Sequence, residues 1–110
     1  MMPAMKTSFW VSALMRRAEV GGAYAMLMQK GDGDAGAVLV KVCTLDREAV
    51  LYRPIRNMEG ARVWLPKGPL PEFEIDAFIN GRKASDPDLW VVEIEDKQGR
   101  HFLTEPIEAQ

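Results

Sequence analysis

The sequence predicts an α+β fold, an antiparallel sheet of about five strands with two main helices in the order α-β-β-β-β-α-β. Three observations carry this. An amphipathic stretch covers Thr7 to Val20. A series of short apolar runs, divided by Gly- and Asp-rich turns, spans Ala23 to Leu65. A proline-led, acid-rich stretch then precedes a last apolar run, Leu89 to Glu95. At 110 residues, with 47% hydrophobic and 27% charged residues, the chain has the size and composition of one core-bearing domain. Residues 1–6 and 104–110 read as loose tails.

The first helix starts at Thr7 or Ser8, either able to cap it, and ends at Gly21-Gly22. On a helical wheel Ser8, Ser12, Arg16 and Glu19 form one polar stripe. Trp10, Val11, Ala13, Leu14, Met15 and Ala18 cover the rest, an arc wide enough for burial on more than one side. Arg17 interrupts that arc close to Trp10. Its stem can pack while its head reaches the helix edge, or its guanidinium can hold an anion at a pocket rim.

Ala23 to Lys30 and Ala37 to Leu45 flank the Gly31–Gly36 turn, the pattern of a β-hairpin. A third strand covers Glu48 to Ile55 and a fourth Arg62 to Leu65. Apolar residues occupy both faces of the first two, so the sheet needs a cover on each side, supplied by the helices or by a second copy of the chain. Pro66, Gly68, Pro69 and Pro71 mark a stiff connection to a helix led by Glu72, Glu74 and Asp76 and running to about Ala84. In the last strand Trp90, Val92 and Ile94 alternate with Val91, Glu93 and Glu95, the two glutamates reading as a solvated or edge-blunting face. The Asp96–Gly99 turn offers a short return strand through His101-Phe102-Leu103.

Three stretches taken together carry a resemblance. They are Trp10 to Arg17, Gly31 to Val42, and Asp86 to Glu93 continuing to His101-Phe102-Leu103. The chain resembles the alphaproteobacterial family catalogued as domain of unknown function 1491. That resemblance implies a bacterial cytoplasmic protein, usually the whole gene product, and no activity.

The residues exclude several chemistries. Cys43 is the only cysteine and His101 the only histidine, so an intrachain disulfide and a histidine/cysteine zinc site are ruled out. Asp32-x-Asp34-x-Gly36 opens like a calcium loop, but position twelve is Cys43 where a glutamate is required. There is no phosphate-binding loop and no nucleophile signature. No catalytic residue, metal or cofactor is expected, and an enzyme is the least favoured reading. The short apolar run Phe9–Met15 is followed at once by Arg16-Arg17, giving neither a signal sequence nor a membrane span.

Net charge is −2, divided as +4 over residues 1–68 and −6 over 69–110. Within one domain the two halves complement each other, or leave a dipolar surface for docking. The sequence therefore points first to a cytoplasmic ligand- or protein-binding module, dimeric through its sheet, with Arg17, Trp10, Asp88 and Trp90 as candidate pocket residues and an Arg17–Asp88 pair beside Trp90. The alternative is a nucleic-acid binder using Arg53, Arg56, Arg62 and Trp64, with Tyr52 and Lys67 beside them.

Overall fold

The computed structural model describes residues 6–108. Its elements are α1 (Thr7–Val20), β1 (Tyr24–Gln29), β2 (Val38–Cys43), β3 (Glu48–Arg56), β4 (Arg62–Pro71), α2 (Glu72–Ser85) and β5 (Trp90–Glu95). The five strands form one sheet in the order β1-β5-β2-β3-β4. Two helices and five strands match the expected class and order. The sheet, however, is mixed: β5 pairs antiparallel with β1 and parallel with β2.

That arrangement corrects the hairpin. β1 and β2 are not neighbours, because β5 lies between them. The reason is burial. Every residue of β2 is buried, and all of β5 except Glu95. Two largely apolar runs, each broken by one buried charged residue, Lys41 and Glu93, suit the centre of a sheet, where both faces are covered. The Gly31–Gly36 loop instead crosses the start of β5, where Asp32 N–H donates to the Asp88 carbonyl and the Trp90 indole to that of Asp32. A side chain on Gly36, at φ +112°, would run into the Asp88 carbonyl, so the crossing depends on glycine.

Each face of the sheet carries one helix. Val11, Leu14 and Ala18 of α1 pack with Val40, Val42, Tyr52, Trp64, Trp90, Val92 and Ile94. Ile75 and Ile79 of α2 pack with Leu39, Cys43, Leu51 and Val91 on the other face. α1 is buried on one side only, for Phe9 and Val20 are exposed. Its start has no side-chain cap; Ser8 N–H donates to the Gly33 carbonyl instead.

β4 is longer than expected, absorbing Pro66, Pro69 and Pro71 into an edge strand, the position in a sheet where proline is tolerated. His101–Leu103 forms no strand. Residues 104–108 run beside β4: Trp64 N–H donates to the Pro106 carbonyl and Glu108 N–H to that of Trp64. Residues 1–5 and 109–110 of the expected loose tails lie outside the described residues. None of the helices among those residues is long and apolar enough to cross a membrane.

Candidate functional site

The chemistry of the molecule gathers around a lysine in the middle of β2. Strand alternation points Leu39, Lys41 and Cys43 to the α2 side of the sheet. Lys41 is only 4% exposed. Its Nζ lies 2.6 Å from Asp76, 2.9 Å from Glu72 and 3.1 Å from Glu93. Glu93 reaches it from the adjacent β5, where the two residues are in register. Glu72 and Asp76 stand four apart on α2, hence on one side of the helix.

Burial alone would lower the Lys41 pKa, but hydrogen bonds to Asp76, Glu72 and Glu93 outweigh it and hold the ammonium charged well above its ordinary range. In return, the bond from Lys41 keeps Glu72 ionised below the usual glutamate range. The Cys43 thiol donates to Glu72 at 3.6 Å, and burial pushes its pKa up to about 12, so it remains a thiol at neutral pH.

The side-chain donors of Cys43, Glu72 and Glu93 lie within 4.8 Å of one another and are the residues here that could ligate a metal. An ion would have to displace the Lys41 ammonium that two of them already hold and deprotonate a thiol tuned against it. Nor does the lysine suit a general base or Schiff-base role, which needs a lowered pKa. Chemically, the cluster fixes charge. It opens on a cleft of about 350 Å³ between α2 and β1, lined also by Met28, Ile79 and Lys83.

This corrects the reading of Glu93 as a solvated residue: β5 is an inner strand and Glu93 is buried. Sequence reasoning also passed over Lys41 itself. The available signal was a lysine within Val38-Leu39-Val40-Lys41-Val42-Cys43, followed later by two carboxylates four apart at a helix start.

The four residues expected to share a pocket are each engaged differently, although Trp10 and Trp90 belong to the same core cluster. Trp10 stacks on Trp64 with ring centroids 5.6 Å apart, and both indoles donate to Glu105, at 3.2 and 3.0 Å. Burial alone would raise the Glu105 pKa, but these bonds from Trp64 and Trp10 lower it overall. Arg17 donates through Nε to the Phe102 carbonyl, and its buried Nη2 meets no acceptor among the described residues. Trp90 is fixed to the Asp32 carbonyl and Asp88 is exposed, with no Arg17–Asp88 ion pair among the described residues. Trp10 does line a cavity, of about 60 Å³, but with Arg62 and Trp64.

The nucleic-acid alternative loses its stacking platform. Trp64 is wholly buried, and Tyr52 is buried edge-on to His101 at 5.0 Å. The basic groups also divide between faces. Arg53 and Lys67 lie over the Phe78 ring on the α2 side, at 5.8 and 5.1 Å. Arg56 and Arg62 pair across β3 and β4 on the Trp64 side.

Comparison with known proteins agrees with this fold. A family model described as a protein of unknown function (DUF1491) matches residues 5–104. A crystal structure of a DUF1491 family protein from Caulobacter crescentus is 48% identical, with a TM-score of 0.90 over 96% of this chain and 100% of that one. A solution structure of a protein from A. tumefaciens is 31% identical, with a TM-score of 0.79 over 96% and 98% of the two chains. None of the curated proteins matches the chain.

Proposed function

The chain belongs to the DUF1491 family, and on that premise we propose that it is a non-catalytic binding module of the bacterial cytoplasm that works as a homodimer joined through β1. The observation that carries this is the difference between the sheet edges. β4 has three prolines and is accompanied by residues 106–108. β1 reads Tyr24-Ala25-Met26-Leu27-Met28-Gln29, without charge or proline, and its outer side is unpaired among the described residues. Val20, Tyr24, Met26, Leu27 and Met28, half of the exposed large apolar residues among those described, cluster on or next to it. Bare apolar edges of this kind invite strand pairing, and an uncharged edge complements itself about a two-fold axis. Such a pair extends two five-stranded sheets into one.

The non-catalytic reading rests on the state of the reactive groups. Cys43 is held as a thiol, Lys41 as an ammonium, and His101 Nδ1 accepts from Leu103 N–H. The cytoplasmic reading rests on a single, buried, free cysteine.

Native mass spectrometry of gently purified protein tests the assembly. The expected species has twice the chain mass, and Leu27→Lys, which sets two like charges across the axis, is expected to give monomer with an unchanged circular-dichroism spectrum. A wild-type monomer at about 50 μM, above the micromolar dissociation constants common for specific pairs, would remove the dimer. Extra mass from a retained small molecule would instead direct the search to a ligand pocket.

A further inference from the structure

α2 packs mainly on β2, β3 and β4 and meets β5 through Val91, so it covers only part of its face of the sheet. A strip remains beside it, running from the buried Val91 and Glu93 of β5 to the exposed β1. From β3, beneath α2, to β5 is two strand spacings, about 10 Å. Packed helices lie about 8–10 Å apart. The strip is therefore one helix wide.

Its floor is apolar and open. The register of Met26 with Glu93 and Tyr24 with Glu95 places Tyr24 and Met26 on this face, and Met28, at an irregularity of the strand, lines the cleft; all three are exposed, Tyr24 to 74%. Asp76, Ile79 and Lys83 form the α2 wall above the cleft. Five carboxylates, Glu72, Asp76, Glu93, Glu95 and Asp96, line the strip and its Tyr24 end against four cations, Lys41, Lys83, Lys97 and Arg100, leaving one negative charge in excess. Lys41 is already occupied by three of those carboxylates.

We propose that this strip is the docking lane for an amphipathic helix whose apolar side is flanked by lysine or arginine. Methionine thioethers adapt to the anchors such a helix presents at i, i+3, i+4 and i+7. The excess negative charge attracts its cations and disfavours an acidic partner. The lane goes beyond the dimer and does not depend on it: Leu27, whose substitution tests the dimer, points to the opposite face from Met26.

The test is an amide NMR titration of the ¹⁵N-labelled full chain with three synthetic peptides of about 14 residues, four helical turns. One carries leucine at helical spacing with lysine elsewhere. The second replaces lysine by glutamate, and the third scrambles the leucine/lysine order. The first is expected to shift amides of β1, β5 and the lane side of α2, and the other two to leave them in place. Met28→Lys and Glu95→Lys are each expected to weaken binding about tenfold or more, while Leu27→Lys leaves it unchanged; the amide spectrum of each variant shows whether it is folded. Shifts on another face, equal shifts with the glutamate or scrambled peptide, or none at millimolar concentration would overturn the lane. The dimer stands or falls separately, on the native mass and the Leu27→Lys variant.

Discussion

The two faces of the sheet carry helices of equal length, 14 residues each, and hold them by different means. α1 rests on an apolar surface. The polar groups beside it, such as the Trp10 and Trp64 indoles on Glu105, lie at the margin of that core. α2 rests on a smaller apolar cluster and is tied through Glu72 and Asp76 to a lysine in the middle of the sheet. Apolar burial has no preferred direction, so a helix on an oily face settles where most area is covered. A buried ammonium is directional: the carboxylates must stand over it. Lys41 thus fixes the lateral position of α2 above β2–β4 and leaves the β1 strip bare.

The sharpest way to break this comparison is Lys41→Met. It leaves Glu93 buried without its cation, for an expected loss of about 3–5 kcal/mol in urea denaturation. Glu72 and Asp76 are 39% and 49% exposed, so water relieves them and most of the loss falls on Glu93. Lys41→Met combined with Glu93→Leu is therefore expected to recover much of it. A single-variant loss below about 1 kcal/mol, no more than a surface pair yields, would mean that apolar packing alone positions α2.

On the other face the matching change is Glu105→Gln. The amide offers one oxygen where the carboxylate offered two, so one indole N–H of Trp10 or Trp64 loses its acceptor. The expected cost is about 1–3 kcal/mol, together with altered tryptophan fluorescence. A change at this margin should cost less than one in the middle of the α2 face. If it matched the loss from Lys41→Met, the contrast between the faces would fail.

The α1 face was legible in the sequence and the α2 face largely was not. The bounds of α1, its polar stripe and its buried Val11, Leu14 and Ala18 follow from periodicity, which is local. The neighbours of β5 are not a local property. The turn between β1 and β2 looks like a hairpin turn, and only the largely apolar runs of β2 and β5 hinted that these two belong together at the centre. Once β5 is misplaced at an edge, Glu93 becomes a surface residue and Lys41 has no partner. The site was missed with the strand order, because all of its long-range members meet only through it. Trp64 failed for a related reason: aromatic residues interleaved with arginines look like an exposed platform until residues 104–108 and Trp10 are seen to cover one of them.

The smallest expected effect separates the faces by pH. His101 lies behind Tyr52, and burial lowers its pKa below the usual 6.5. Its Nδ1 accepts from Leu103 N–H, so protonation there breaks a hydrogen bond as well as charging a half-buried ring. The unfolded chain therefore takes up this proton at a higher pH than the folded one. Stability is full above the unfolded pKa and declines as pH falls from about 6.5 through the lower folded value. Both shifts in the Lys41–Glu72 pair act outside that window. The lowered pKa of Glu72 gives stability that is lost only in acid, below about 4.3, and the raised pKa of Lys41 gives stability lost only above about 10.4. Urea midpoints between pH 7.5 and 5.5 thus report His101 against a flat background. His101→Asn, whose Oδ1 can accept from Leu103 N–H without titrating, is expected to remove the slope. A slope that survives the substitution would place the titrating group elsewhere and leave His101 as packing alone.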